Sequence, residues 1–473
     1  MADSALWTIE ELLQATGGEL VGEVSAPLNG VAIDSRAIKH GDIFVAIKGD
    51  RTDGHIYAAA ALKAGAGLAI VSRPDDEMRA AGALLVVPDA LEALEHIGRA
   101  ARQRVAGKVI AVTGSVGKTT TKDALKVALS ACGSTHAAVS SFNNHWGVPL
   151  TLARMPRDTA FGVIEVGMNH AGEIETLIDM VRPHVAIITA IAESHIGHFD
   201  SLTGIANAKA EIFTGVVPGG VALINRDSEF HDHLAGKARD CGITDIRGFG
   251  EAEDADIRLV RFTLHDSCSC MTADVRGEQV TCKLGAPGRH VVQNALAVLG
   301  ACQAAGADLA RCALALANIT PPSGRGVRHK LETDGVKVTL IDESYNANPA
   351  SVRAALEMLA ASEPEGHGRR IAVLGDMLEL GAHSADLHAG LVDPIGSADV
   401  DKVFVCGEHM KHLWAELPPS RRGAHEATSA ELIEPLLASI QSGDIIMVKG
   451  SLGSKMAVVV DAIKHKYGGE AAG

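Results

Sequence analysis

The chain has 473 residues and a formal net charge of −15 at neutral pH. That balance argues against nucleic acid or an anionic membrane surface as the main partner, because both reward a surplus of Lys and Arg. A nucleotide would have to be held by local cations and backbone dipoles. The length suggests about three domains, and a hydrophobic content of 47% with only 3% aromatic residues means cores built from Ala, Val, Leu and Ile.

Met1 to Gln14 contains Asp3, Glu10 and Glu11 and has neither a basic start nor an apolar core, so no secretory signal is expected there. The first segment, to about Ala106, holds short β-like stretches at Ile43–Ile47 and Leu84–Val87 and a helical stretch from Ile56 to Ala64. Arg99 to Lys108 reads as a charged boundary.

The middle segment, 107–318, opens with the apolar run Lys108–Val112, then Thr113-Gly114-Ser115-Val116-Gly117-Lys118-Thr119-Thr120, then a helical pattern to Ala131. Strand, glycine turn, lysine, hydroxyl and helix is an arrangement that holds a nucleotide triphosphate. Successive N–H groups would face the phosphates, Lys118 would reach the β and γ groups, and Thr119 would ligate magnesium. The first glycine of the usual motif, five residues ahead of Gly117, is replaced by Val112. Further buried strands are expected at 161–166, 185–191 and 220–224, with a helix over 201–214 capped by Ser201. Near-continuous apolar strands alternating with helices define a parallel sheet. Residues 245–285 read as a polar, antiparallel insertion. The uncharged stretch Val291–Ala307 carries Gln293, Asn294 and Gln303 and reads as a packed helix rather than a membrane span. Eight cysteines without a Cys-x-x-Cys pair read as reduced thiols of a cytoplasmic protein, and Cys268-Ser269-Cys270 is too close for ordinary metal spacing.

The third segment, 319–473, follows the breaker Thr320-Pro321-Pro322 and repeats the β-turn-α theme at 338–341, 371–374, 403–405 and 445–448, a second doubly wound sheet. Lys464 to Gly473 reads as a frayed charged tail.

Ligands of doubly wound sheets sit beyond the carboxyl ends of the strands. Glu165 ends the strand 161–166, where a carboxylate is costly unless paired or bound to a cation. His195 follows the next strand, Lys209 lies in the helix after it, and Asp342 to Pro349 follows the first strand of the third segment. By itself His195 reads rather as a hydrogen-bonded histidine and Lys209 as a solvated helix lysine, while Asp342–Pro349 reads equally as a polar turn. Arg325, between Gly324 and Gly326 at the segment junction, could swing onto a phosphate on closure.

Together these residues resemble the Mur ligase family. The resemblance rests on 113–120, on Asn143-Asn144 with Gly147 and Pro149, on Glu165 and His195, on Asn207-Ala-Lys209-Ala-Glu-Ile-Phe213, on Gly288-Arg-His-Val-Val-Gln-Asn294, and on Gly-Arg325-Gly and Asp342. Ile33-Asp34-Ser35-Arg36, Gly41–Ala46 and Asp53-Gly54-His55 resemble the family's uridine-nucleotide-binding domain. Asp342-Glu-Ser-Tyr345-Asn346-Ala-Asn348-Pro and Leu374–Gly381 resemble the member that adds D-alanyl-D-alanine, and the Asp-Asn-Pro-Arg motif of the diaminopimelate-adding member is absent. Two departures stand out: Glu343 where that member often has Asp, and Arg226 between Asn225 and Asp227 where many members have Ala.

The resemblance implies an α/β chain of three domains. They are a small α/β N-terminal unit (1–106) for a uridine nucleotide, a central P-loop-type mostly parallel sheet with helices on both faces (107–318), and a C-terminal Rossmann-like doubly wound unit (319–473). It implies ATP-dependent joining of D-alanyl-D-alanine to UDP-N-acetylmuramoyl-tripeptide through an acyl phosphate, by a cytoplasmic monomer that neither binds nucleic acid nor enters the membrane. It implies ATP on 113–120, Asn294, Arg325 and Asp342. Mg2+ would sit on Thr119, Glu165, His195 and a carbamylated Lys209. Lys118, Glu165, His195 and Lys209 would carry catalysis, and Ser35, Arg36, Asn143, Asn144, Tyr345, Asn346 and Asn348 would contact substrate. Another ligase of the superfamily is the nearest alternative, and a nucleotide-driven switch a more distant one, since no Asn-Lys-x-Asp guanine motif is present.

Overall fold

The computed structural model describes residues 5–49 and 52–468. Its strands form three sheets.

The first sheet contains β1 (Glu19–Val21), β2 (Gly30–Ala32), β3 (Asp42–Val45), β4 (Leu68–Val71) and β5 (Leu84–Val86). The order is β1-β5-β4-β3-β2, with β1 antiparallel to β5 and the rest parallel. The helical stretch expected at 56–64 begins as a 3-10 turn, Gly54–Tyr57, capped by Asp53, and continues as the helix Ala58–Lys63.

The expected charged boundary, Arg99 to Lys108, takes in the end of one long helix, Ala90–Arg104, whose N-terminus is capped by Asp89, and the start of the strand Lys108–Thr113. Its arginines tie the neighbouring unit to the first. Arg102 donates to the carbonyls of Val181 and Arg182, and Arg104 to those of Leu6 and Met155. The Arg104 guanidinium lies 3.7 Å from the Trp7 ring centre, and the Trp7 indole donates to Ala153 at 2.8 Å. Leu150 and Ala153, from the helix Gly147–Ala153, belong to the first unit's core. Cations satisfying helix-end and loop carbonyls explain why a charged stretch is ordered here.

The second sheet contains β6 (Lys108–Thr113), β7 (Thr135–Ala137), β8 (Phe161–Glu165), β9 (Val185–Ile188), β10 (Val221–Asn225), β11 (Asp245–Gly250), β12 (Ile257–Leu264), β13 (Ser269–Val275) and β14 (Glu278–Leu284). The order is β14-β13-β12-β11-β10-β9-β6-β8-β7. Strand β6 pairs with β8 on one side and β9 on the other, all parallel, so the winding reverses at β6. That reversal opens the crevice in which doubly wound sheets bind ligands. The stretch expected as an insertion continues the same sheet. β11 is parallel to β10, and only β12, β13 and β14 pair antiparallel. The apolar helix Arg289–Ala304 covers this half.

His184, just before β9, accepts the Val109 N–H through Nδ1 at 3.0 Å. Burial, with Arg102 and Lys108 close by, pushes its imidazole down to about 4. An unfolded histidine titrates near 6.5. Between those values the unfolded chain binds more protons, so stability falls as pH drops through that window. Allowing for the ring's partial exposure, the loss is roughly 1–2 kcal/mol. Urea unfolding at about pH 7 and about pH 4.5 should show it in the wild type and less of it in His184→Asn, which keeps an acceptor but not the titration.

The third sheet contains β15 (Val327–Thr333), β16 (Val336–Glu343), β17 (Arg370–Gly375), β18 (Lys402–Cys406), β19 (Arg422–Glu426) and β20 (Ile445–Lys449) in the order β15-β16-β20-β17-β18-β19. All pairs are parallel except the β15–β16 hairpin. The two edge strands, β15 and β19, were not expected from the sequence. Their residues are only partly buried and alternate little, so they lack the apolar run of a central strand. The expected frayed tail is helical through Tyr467, whose ring is buried; residues 469–473 lie outside the described residues. Among the described residues no helix is long and apolar enough to cross a membrane.

Candidate active site

The turn after β6 is built for close approach. Gly114 has φ +149°, and a Cβ there would fall 1.9 Å from Thr189 Oγ1. Gly117 has φ +83° and starts the helix Lys118–Ser130, and a Cβ there would lie 2.7 Å from the Asn294 side chain. The Ser115 N–H donates to Ala190 and its hydroxyl to the Ala192 carbonyl, tying the turn to the loop after β9. Among the described residues the N–H groups of Val116 to Thr119 find no acceptor, which makes this helix end an anion cradle. Gly117→Ala should therefore weaken ATP binding and cost about 1–3 kcal/mol of stability, read by calorimetric titration and thermal melting.

Lys118 folds back, its Nζ donating to the Gly114 carbonyl at 2.5 Å. Burial lowers its pKa; Glu165 opposes this and Arg325 adds to it. Glu165, at the carboxyl end of β8, is buried without a lysine or arginine in ion-pair range among the described residues. Its Oε1 accepts from Asn143 Nδ2 at 2.7 Å and from Thr119 Oγ1 at 3.2 Å, while Oε2 has no partner. An orphaned carboxylate oxygen beside a hydroxyl is costly unless a cation completes it. Among the described residues no three His, Cys, Asp or Glu side chains converge as a ready-made metal cage. The chemistry of the donors fits magnesium, which takes one or two carboxylates and fills the rest of its shell with phosphate oxygens and water.

Thr119, Lys118, Glu165, Asn143 and Asn294 line one cavity of about 380 Å³, together with Ser115, Val116, Gly117, Thr120 and His195 from the central unit and Arg325, Tyr345, Asn346 and Asn348 from the third. His195 sits in the left-handed region, φ +60°, and its Nδ1 lies 2.5 Å from Glu379 Oε2. That contact lies outside hydrogen-bond alignment. The neighbouring Gly197 N–H donates to the Glu379 carbonyl, so the third unit presses directly on this loop. Arg325 lays its guanidinium 4.2 Å from the Tyr345 ring centre, which holds it toward the cavity.

Lys209, in the helix Leu202–Ala210, is 1% exposed and does not line the cavity. Among the described residues its amine has no hydrogen-bond or ion-pair partner. Burial, then the charge of Lys118, pulls its pKa well below that of an ordinary lysine.

Several expected site residues are placed elsewhere or used otherwise. Asn144 accepts the Gly147 N–H and anchors the helix Gly147–Ala153. Asp342 is buried between β15 and β20 and accepts from the backbone N–H and hydroxyl of Ser344, so it organises the turn and does not line the cavity. Thr113 is buried within β6 with its hydroxyl unpartnered. Ser35 and Arg36 belong to the first sheet's unit, with Arg36 paired to Asp34, and do not reach this cavity. Asn346 and Asn348 line it, yet Asn346 accepts from Ala347 and Asn348 caps the helix Pro349–Ala360.

Sequence reasoning missed Lys449, Glu343 and His290, which also line the cavity. Lys449 donates to Glu343 and to the Asn346 carbonyl, both at 3.0 Å. Its signal was its place at the carboxyl end of β20, where ligand-facing residues gather.

A phosphate turn at a switch point, closed over by a second doubly wound unit that lends an arginine, defines a nucleotide-dependent enzyme. The chain matches three family models: Mur ligase middle domain over 112–302, Mur ligase glutamate ligase domain over 328–452, and Mur ligase family catalytic domain over 27–103. It is 35% identical to the UDP-N-acetylmuramoyl-tripeptide–D-alanyl-D-alanine ligase of Escherichia coli, covering 97% of this chain and 98% of that protein. The enzyme of the same name from Rickettsia prowazekii is 33% identical, covering 96% and 99%. A crystal structure of MurF from Acinetobacter baumannii superposes with a TM-score of 0.84 at 31% identity, covering 97% and 99%. The chain belongs to the Mur ligase family.

Proposed function

We propose that this chain is the ATP-dependent ligase that joins D-alanyl-D-alanine to UDP-N-acetylmuramoyl-tripeptide, releasing ADP and phosphate, in peptidoglycan precursor synthesis. The observation that carries the chemistry is the single cavity into which the 115–120 turn, Glu165 and Arg325 all open. The acceptor follows from relatives of that activity matched over nearly their full length.

A carboxylate must gain a leaving group before an amine can displace it. The terminal carboxylate of the tripeptide attacks the γ-phosphorus of ATP, ADP leaves, and an acyl phosphate forms. The amine of D-alanyl-D-alanine then adds to the acyl carbon, and the tetrahedral intermediate expels phosphate. Phosphoryl transfer needs positioning and charge neutralisation more than covalent help. The N–H cradle and Lys118 hold the β and γ groups. Arg325 reaches the phosphates across the unit boundary, and Asn294 sits beside Gly117 near the nucleotide. Magnesium, held by Thr119 and Glu165 with a second ion at His195 and carbamylated Lys209, would supply further charge neutralisation.

In this reading residues 1–106 bind the uridine nucleotide, with Ser35 and Arg36 facing it. Residues 107–318 bind ATP and 319–473 bring the dipeptide, with Tyr345, Asn346 and Asn348 near it. The enzyme acts as a cytoplasmic monomer. Purified protein should release phosphate only when tripeptide nucleotide and D-alanyl-D-alanine are both present, with the product mass equal to their sum less water. Phosphate release with diaminopimelate or glutamate as acceptor instead would overturn the assignment.

A further inference from the structure

Three helices that pack around the phosphate-turn side of the central sheet each bring a cysteine to one spot. Cys132 follows the helix Lys118–Ser130, Cys302 lies in Arg289–Ala304 and Cys312 in Leu309–Ala315. Cys132 Sγ is 3.6 Å from Cys312 Sγ and also 3.6 Å from the Asp308 carbonyl. Cys302 and Cys312 are fully buried, whereas Cys132 is partly exposed, so a small solute meets Cys132 first. Nothing in the proposed ligase chemistry uses these thiols. Among the described residues no metal-binding group of three forms here.

We propose that Cys132 and Cys312 are a redox modification site, closing into a reversible disulfide when the cell meets peroxide and thereby slowing turnover at the phosphate turn. Closing a 3.6 Å contact to a bond of about 2.05 Å brings the sulfurs together by about 1.5 Å. The chemistry balances with hydrogen peroxide as the two-electron oxidant. The Cys132 sulfur attacks one peroxide oxygen, the O–O bond breaks, and Cys132 sulfenic acid and water form. The Cys312 thiolate then attacks the Cys132 sulfur, and the hydroxyl leaves with a proton as a second water. Cys312 suits the attacking role. The neighbouring Cys302 and Cys132 thiols lower its pKa against the effect of burial, which favours the thiolate at this sulfur. Cytosolic disulfides of this kind are usually transient and redox-sensing.

The consequence follows from the helix that carries Cys132. It begins at Lys118 and spans 13 residues, about 20 Å, so a bridge pins its far end to Leu309–Ala315. Displacements near 1 Å at a reacting centre cost about 10²-fold in rate, and the same helix carries Lys118 and Thr119. The rate consequence rests on the ligase reading; the bridge itself does not.

The test uses the full chain treated with hydrogen peroxide, then alkylated and digested with trypsin. The three thiols fall on separate peptides, 127–154, 290–311 and 312–325. The expected map joins 127–154 to 312–325, the join disappears with dithiothreitol, and ATP turnover falls on oxidation and returns on reduction. Cys132→Ser should keep basal turnover and lose both the join and the peroxide sensitivity, and Cys312→Ala provides the second variant. A join to 290–311, or overoxidised Cys132 with no join, would overturn the site. Full joining with unchanged turnover would overturn its control of the phosphate turn. A reduced enzyme without turnover would count against the ligase reading instead, and the peptide map would still decide the bridge.

Discussion

Lys118→Ala should remove ATP-dependent ligation while leaving a folded protein. Among the described residues the Lys118 amine donates only to the Gly114 carbonyl, beside the acceptor-free N–H groups of Val116 to Thr119. On the proposed site, ATP would exchange that carbonyl contact for phosphate oxygens. Removing one preorganised charge from a developing phosphoryl transition state costs about 10²–10³-fold or more, roughly 3–4 kcal/mol. Stability should change little or rise, because burial already disfavours the charged amine. The melting temperature and steady-state phosphate release, measured on the same preparation, separate the two effects. Turnover within tenfold of wild type would show that the triphosphate does not lie on this turn.

Lys209 should prove essential through a chemistry no free lysine can perform. An ammonium cannot ligate magnesium, and among the described residues this buried side chain has no ion-pair partner. Burial and the nearby Lys118 charge hold its pKa well below the usual value, so the amine stays neutral over a wider pH range than an exposed lysine. A neutral amine adds to carbon dioxide and releases a proton, giving a carbamate with two anionic oxygens beside Lys118. Lowering the pH through the depressed pKa protonates the amine and abolishes that reaction, so activity should fall on the acid side and recover with added bicarbonate. The sign for stability is the same: below the depressed pKa the buried amine must carry a charge, and the native state weakens. Lys209→Ala should lose about 10²-fold or more of turnover, and formate or acetate should restore part of it by placing a carboxylate in the vacated space. Lys209→Met, which fills the volume without the amine, should melt no lower than wild type and remain inactive. Full activity in Lys209→Met, or no rescue of Lys209→Ala by either acid, would remove the carbamate from the mechanism.

Much of this was legible because it is local. The phosphate turn is one contiguous string in which glycine conformations, a lysine and a hydroxyl must occur at fixed offsets, and β6, β8, β9 and β10 announce themselves as apolar runs. Glu165 was visible because a carboxylate ending such a run is expensive, and its orphaned Oε2 is that expense made concrete. The edge strands β15 and β19 were hidden because partly exposed strands carry no such run. The packing role of Arg102 and Arg104 was hidden because it is made through carbonyls of Leu6, Met155, Val181 and Arg182, far away in sequence.

The sequence by itself determined the glycine turn at 113–120 and the three α/β units, which are written in short-range spacing and periodicity, and it carried the family through a resemblance in the order of its motifs. Only the tertiary structure decided which polar residues face the cavity. Asp342 and Glu343 are neighbours on β16, yet the first turns to hold Ser344 and the second pairs with Lys449 in the cavity wall. Alternation along a strand sends adjacent side chains to opposite faces. Which face meets another unit depends on how the units dock, and no local pattern records that.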